Sequence, residues 1–129
     1  MTRDMDLIRS LLLKLEALPT TVGGIYIFDQ SDDDLQIPNY TFDQIWYHYK
    51  LLLEAGLVDQ GGSGALNGIM FRSLTWAGHD FVDSVRDPEI WAKAKKGASA
   101  AGGLSLDLLQ DLAKGFIKKQ IEDLTGIKL

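Results

Sequence analysis

The first part of the chain combines a helical pattern of apolar residues with a short strand pattern. The helical stripe consists of Met5, Ile8, Leu11, Leu12, Leu15 and Leu18. Pro19 ends this pattern, and Gly23-Gly24 then leads into residues 25–28, a β-branched and aromatic run that predicts a strand. We therefore expect a helix followed by a strand.

Residues 41–57 carry the strongest helix signals of the chain. Thr41 can cap the start while Gln44 reaches back in a capping-box arrangement, and Gly56 can adopt the left-handed conformation that ends a helix. The apolar face, which we interpret as core, consists of Phe42, Ile45, Trp46, Tyr49, Leu52 and Leu53. Replacing Trp46 by alanine should then cost about 3 to 5 kcal/mol, as deletion of a core aromatic residue does.

A predicted β-hairpin follows the central helix at once. Residues 58–60 and 69–74 have strand character, and the glycine-rich residues 61–68 connect them. A helix that passes directly into a glycine-tipped hairpin is typical of a winged helix. The pattern thus predicts an α+β, mainly helical chain with a winged-helix-type domain built from helix, strand, helix and two-stranded wing.

Three further helices are predicted after the wing, beginning at Thr75, at Asp87-Pro88 and at Ser105. We expect a winged-helix-like domain over residues 1–96, a flexible link over residues 97–103 and a C-terminal amphipathic helix over residues 104–129. That last helix packs back on the domain or pairs with a second copy in a homodimer. All three tryptophans are interpreted as packing residues: Trp46, Trp76 and Trp91.

Length and composition limit the number of domains, the available chemistry and the cellular location of the protein. The 129 residues fit one domain, and the absence of cysteine excludes disulfides and thiolate chemistry. The start of the chain lacks the apolar segment of a signal peptide, and no apolar run approaches the ~20 residues needed to cross a bilayer. We therefore expect a cytoplasmic protein that does not enter a membrane.

The net charge of -5 arises in the middle of the chain. Five aspartates precede or begin the central helix with no basic residue among them: Asp29, Asp32, Asp33, Asp34 and Asp43. Such a block is typical of a solvated loop and repels nucleic acid locally, with calcium binding and mimicry of a phosphate backbone as the alternatives. A calcium loop counted from Asp32 fails, because Ile37 stands where the turn glycine belongs.

The sequence offers little for catalysis. His48 and His79 are the two histidines, and Asp83 stands four residues after His79, where it could orient the ring or share a metal ion. A third ligand and a nucleophile are not evident, so a surface ion pair or a helix cap is the preferred role for His79. The glycines of the wing are not followed by the lysine of a phosphate loop. We expect no enzymatic activity, no cofactor and no metal.

Several stretches of the chain resemble a family found in bacteria and phages. They are RDMDLIR at residues 3–9, YHYKLLLEAGLV at 47–58 and LTWAGHDF at 74–81, with Arg86-Asp87 and Ile90-Trp91. The chain resembles the domain-of-unknown-function family numbered 2513 over nearly its whole length, and this resemblance implies no particular activity. Residues 52–58 and 74–79 also resemble the recognition-helix exit and post-wing helix of winged-helix transcription regulators, which supports the fold more than the function.

Two binding functions remain open from the sequence. A DNA-binding transcriptional regulator would contact duplex DNA through the outward face of the central helix and the wing, which carry Gln44, Tyr47, His48, Lys50 and Arg72. The supporting helix of a helix-turn-helix is short or missing, and Lys50 is the one firm cation on this face.

The alternative is a protein-protein interaction module, such as a phage or defence-system accessory. Tyr47 and Leu51 would then anchor a partner protein, unless the C-terminal helix covers them. A salt titration separates the two functions, because phosphate contacts weaken steeply with ionic strength and a hydrophobic interface does not.

Overall fold

Five α-helices and four short strands make up the computed structural model, which describes all 129 residues. The helices are Met5–Glu16 (α1), Phe42–Glu54 (α2), Trp76–Val85 (α3), Pro88–Ala100 (α4) and Leu106–Thr125 (α5). The strands are Tyr26–Phe28 (β1), Val58–Asp59 (β2), Ile69–Phe71 (β3) and Ser73–Leu74 (β4). The protein is therefore α+β and mainly helical, and its residues divide into two compact units, Met1–Asp80 and Phe81–Leu129.

Side-chain caps set the helix boundaries at the positions that the sequence predicts. At the start of α2 the Thr41 hydroxyl accepts from the Gln44 N–H (3.2 Å), and the Gln44 side-chain oxygen accepts from the Thr41 N–H (2.8 Å). Gly56 has a φ of 73° after the end of α2, where a residue without a Cβ is favoured. The predicted capping box is confirmed, as are the predicted N-caps Asp87 of α4 and Ser105 of α5.

Two small antiparallel sheets share a nearly continuous segment over residues 69–74. Strand β1 pairs with β3, and β2 pairs with β4. Arg72 alone separates β3 from β4, and its backbone N–H donates to the Asp59 carbonyl oxygen at 2.9 Å. The predicted hairpin of residues 58–60 with 69–74 is present in part: residues 58–59 pair with residues 73–74, whereas residues 69–71 pair with β1.

Helix α1 packs against α2, β4 and a single 3₁₀ turn, Asp33–Leu35, in the first unit. This turn lies within the acidic segment, where the sequence predicts a supporting helix that is short or missing. It buries Leu35 and exposes Asp33 and Asp34. The other buried apolar residues of the unit are Met5, Leu7, Ile8, Leu11, Leu12, Leu15, Phe28, Ile45, Tyr49, Leu52, Leu57, Val58, Ile69, Phe71 and Leu74.

In the second unit α4 packs on α5, and small buried residues allow the two helices to approach closely. These residues include Ala94, Ala98 and Ala113. Helix α4 continues through residues 97–100, so residues 101–103 are the part of the predicted link that lies outside helices. None of the five helices combines the length and the apolar character required to cross a membrane.

The tryptophans do not all lie where the sequence predicts. Trp91 is buried, as expected, but Trp76 is 85% exposed and Trp46 is half-buried. The interpretation of Trp76 as a packing residue is therefore wrong. The α2 face is also narrower than predicted, because Phe42, Trp46 and Leu53 are half-buried while Ile45, Tyr49 and Leu52 are fully buried.

Candidate functional site

A groove of about 650 Å³ lies in the first unit between α2 and the loops that follow β1 and β2. We call it the α2–wing groove. Its lining residues come from three segments of the chain: Asp29, Gln30 and Ser31 after β1, Phe42, Asp43 and Trp46 on α2, and Leu66 and Asn67 on the wing loop. Helix α2 supplies one wall, and the wing loop supplies the opposite rim.

Aromatic side chains form the apolar part of the α2–wing groove. Phe42 and Trp46 are four residues apart, which places them on one side of the helix, and both are half-buried. Leu66, at the rim, is 94% exposed. A second hollow of about 250 Å³ is also lined by Trp46, together with Leu53 and Met70. The groove thus presents contact surface that the fold itself leaves uncovered.

The base of the wing loop lies very close to the end of β1. A Cβ atom added at Gly68 would lie 2.3 Å from the Phe28 carbonyl oxygen, which is far closer than atoms can approach. Glycine at this position therefore lets the wing backbone pack against β1. Leu66 and Asn67 directly precede this contact and lie at the rim of the groove.

The α2–wing groove carries negative charge. Asp29 and Asp43 line it, and no lysine, arginine or histidine does. The hydroxyl and backbone N–H of Ser31 donate to the Asp29 carboxylate, and these hydrogen bonds hold its pKa below the ordinary value. Asp29 is therefore a carboxylate at neutral pH. The nearest cation on α2 is Lys50, whose Nζ lies 4.9 Å from the Trp46 ring centroid.

His48 is not on the outward face of α2, where the sequence placed it as a contact residue. It is 1% exposed, and its Nε2 accepts a hydrogen bond from the Asp4 N–H at 2.8 Å. The other ring nitrogen, Nδ1, must then carry the proton, which it donates to the Gln44 carbonyl oxygen at 2.7 Å. The prediction for His48 is wrong because the ring joins the start of α1 to α2 inside the protein.

Asp4 continues this network on the side of α1. The Asp4 carboxylate caps α1 by accepting from the N–H groups of Asp6 (2.9 Å) and Leu7 (3.2 Å), and it also accepts from the Tyr40 hydroxyl at 2.7 Å. This hydrogen bond, with burial and the charge of Asp4, raises the pKa of Tyr40 to about 12. The network is structural, because its polar groups satisfy one another.

The other predicted contact residues do not form one cationic surface. The side-chain oxygen of Gln44 belongs to the capping box, and Tyr47 and Leu51 are half-buried. Arg72 pairs with Asp59, its Nε donating to Oδ2 at 3.1 Å. This hydrogen bond, together with the Gly61 N–H, holds the pKa of Asp59 below its ordinary value. Lys50 remains exposed beside Trp46.

Among titratable groups outside the groove, His79 has an acidic neighbour. Its Nδ1 lies 3.9 Å from a Glu16 carboxylate oxygen, a distance that forms an ion pair when the ring is protonated. The structure contains no group of three or more His, Asp or Glu side chains arranged to hold a metal ion.

Sequence interpretation missed Phe42, Trp46 and Leu66 as surface residues. The sequence pattern places Phe42 and Trp46 in the core and indicates no role for Leu66. A signal for this placement exists in the sequence. The apolar face of the central helix holds six residues, three of them aromatic, which is more than a helix of a small domain needs to bury.

Sequence comparisons place the chain among proteins of undetermined activity. The profile of the family described as "Hypothetical protein (DUF2513)" matches residues 2–105, and the match ends at the N-cap of α5. An uncharacterized protein of Haemophilus influenzae is 31% identical over 128 aligned positions, covering 94% of this chain and 99% of that protein. No solved structure gives a match. The chain therefore belongs to the DUF2513 family of hypothetical proteins.

Proposed function

We propose that this protein is a non-catalytic binding module of winged-helix type, and that its α2–wing groove binds a protein partner. The observation that carries the proposal is the groove itself. Two half-buried aromatic residues, Phe42 and Trp46, face a rim on which Leu66 is 94% exposed. Exposed apolar surface of this kind mostly marks an interaction site. Tryptophan is among the residue types that dominate binding energy at interfaces.

The winged-helix part of the proposal rests on element order and pairing. Helix α1, strand β1, helix α2 and the β2–β4 ribbon follow one another, and β1 lies beside the returning segment through β3. In proteins of that architecture the central helix and the wing form the recognition surface. The α2–wing groove lies between the same two elements in this protein.

The charge of the groove indicates the chemistry of the partner. Asp29 and Asp43 flank the aromatic residues, and no basic side chain of this protein lines the groove to neutralise them. A partner segment with an arginine or lysine next to a leucine or aromatic residue would match both features. Its cation would meet the carboxylates, and its apolar side chain would contact Trp46 and Leu66.

Duplex DNA is the second candidate, because α2 would be the recognition helix of a winged-helix domain and Lys50 is exposed on it. The remaining electrostatics count against it. His48 is buried, Arg72 is paired with Asp59, and Asp43 lies at the start of α2. Binding to DNA depends largely on phosphate neutralisation by cations, and Lys50 is the one unpaired cation among the predicted contact residues.

A selection from a displayed library of random twelve-residue peptides tests the proposal on the immobilised full chain. We expect enriched peptides to place arginine or lysine within two positions of a leucine or aromatic residue. Their binding should be lost with Leu66→Ser, which alters an exposed side chain and leaves the core intact. The matched control is Val22→Ser, which removes an equally exposed apolar side chain outside the groove and should bind like the wild type.

Two results would count against the protein-binding function. One is an absence of enrichment, or enriched peptides whose binding does not depend on Leu66. The other is binding of a duplex oligonucleotide whose affinity falls steeply when salt is raised from about 50 to about 200 mM, which is the signature of phosphate contacts. We expect the duplex to bind weakly or not at all at both salt concentrations.

A further inference from the structure

The last part of α5 lies beyond the stretch that pairs with α4. Helices α4 and α5 run antiparallel, with Gly97 beside Leu112 and Lys93 over the ring of Phe116. Continuing this pairing brings Pro88, the first residue of α4, level with Ile121. From there onwards α5 extends past the start of α4.

This extension carries an exposed apolar strip. Ile117, Ile121 and Leu124 recur at intervals of four and three residues and therefore lie on one side of α5. Ile117 is half-buried, whereas Ile121 is 39% and Leu124 85% exposed. Ile127 and Leu129 follow the helix and are also exposed. A regular strip of this kind on a well-formed helix requires a partner to become buried.

We infer that the partner is a second copy of this chain, which binds through the same segment of α5 in the antiparallel direction. The argument is self-complementarity of residues 117–124, whose sequence is IKKQIEDL. A two-fold axis between Gln120 and Ile121 places Ile117 of one copy level with Leu124 of the other. The pair therefore has two equivalent apolar contacts, each between Ile117 of one copy and Leu124 of the other.

The charges of the segment agree with this direction. At about 100° per residue, Lys118 and Glu122 flank the apolar strip on the same side of the helix. In an antiparallel pair the same sides of the two helices adjoin, so that Lys118 of each copy lies beside Glu122 of the other. A parallel pair would instead place Lys118 next to the opposite flank, where Gln120 and Asp123 lie. In the antiparallel pair Lys118 and Glu122 are within one residue of the same level, whereas in a parallel pair Lys118 and Asp123 are five residues apart along the axis.

Because the strip is short, we expect a weak dimer in exchange with the monomer. Sedimentation equilibrium of the full chain from about 5 to about 500 µM should show the mean mass rising from that of a monomer towards twice that value. Leu124→Asp should remain monomeric throughout this range. The matched control is Leu66→Asp, which also replaces an exposed leucine by aspartate but lies in the other unit and should dimerise like the wild type.

Charge-reversing substitutions of Lys118 and Glu122 test whether the two α5 helices run antiparallel. Lys118→Glu and Glu122→Lys should each reduce self-association, because each brings like charges together across the axis. An equimolar mixture of the two variants should restore association to at least the wild-type level, because every cross-pair is then Lys with Glu. Either a monomer at every concentration or undiminished association of Leu124→Asp would overturn the inference. Failure of the mixture to associate would overturn the antiparallel arrangement.

Discussion

Removal of the His48 ring should destabilise the protein strongly, although this residue lies on the helix that would carry a binding surface. His48→Ala deletes the acceptor of the Asp4 N–H and the donor to the Gln44 carbonyl oxygen. A buried donor left without a partner costs about 1 to 3 kcal/mol. Cavities cost about 24 cal/mol per Å³, so a partly collapsed hole of about 50 Å³ adds about 1 kcal/mol. The loss should total about 2 to 4 kcal/mol.

Urea denaturation followed by circular dichroism measures this loss as a shift of the midpoint. The matched control is His79→Ala, which removes the other histidine, exposed on the surface, and should change the free energy of unfolding by less than about 0.5 kcal/mol. If His48→Ala unfolds at the same urea concentration as the wild type, the ring does not join α1 to α2. The sequence-based placement of His48 as a surface contact would then be restored.

Three further substitutions test the environments of Trp46, Gly68 and Tyr40. Trp46→Ala should lower the free energy of unfolding by clearly less than the about 3 to 5 kcal/mol expected of a buried aromatic residue, because the ring is half-buried in the α2–wing groove. Thermal denaturation of the variant and the wild type measures this loss. Gly68→Ala should destabilise the protein by about 1 to 3 kcal/mol, because its methyl group would collide with the Phe28 carbonyl oxygen. The control Gly115→Ala should be tolerated, since nothing lies within 4 Å of a Cβ added at that position. The pKa of Tyr40, raised to about 12 from a normal value near 10, favours the protonated phenol in the folded state, so its contribution is complete below about pH 10 and is lost as pH rises towards 12. Tyr40→Phe should therefore flatten the fall of stability in that range, and an unchanged alkaline slope would refute this assignment.

Local signals in the sequence were sufficient to predict the helix starts. The Thr41 and Gln44 pair, the aspartate before Pro88 and the serine before α5 act within one helical turn, so their effect does not depend on distant parts of the chain. The same holds for Gly56, whose positive φ ends α2. Such elements are predictable because sequence neighbours determine them.

The orientation of α2 about its axis could not be predicted in this way. A face drawn through all its apolar residues is rotated by about 50° from the face that is buried, which includes His48. The predicted face is rotated because it includes three residues that are only half-buried, Phe42, Trp46 and Leu53. Apolar residues on a binding surface and apolar residues in a core give the same periodicity, and tertiary contacts decide between them.

The exposure of Trp76 agrees with its position on α3 relative to the buried residues of that helix. Phe81, Val82 and Val85 lie on one side of α3 and are buried. At about 100° per residue, Trp76 lies on the opposite side of that helix, and it is exposed. The interpretation of Trp76 as a packing residue at core spacing is therefore contradicted by its position on the helix.

The most direct test of the α2–wing groove is a two-dimensional ¹H–¹⁵N nuclear magnetic resonance titration of the full chain with a peptide that has an Arg-Leu-Arg centre. The three indole N–H signals report on three environments: Trp46 in the groove, Trp76 on the exposed side of α3 and Trp91 buried in the second unit. We predict that the Trp46 signal moves together with the backbone signals of Asp29 and Leu66, and that an Asp-Leu-Asp peptide leaves all of them in place. Movement of Trp76 or Trp91 without Trp46, or an equal response to the acidic peptide, would contradict the assignment of this groove as the binding site.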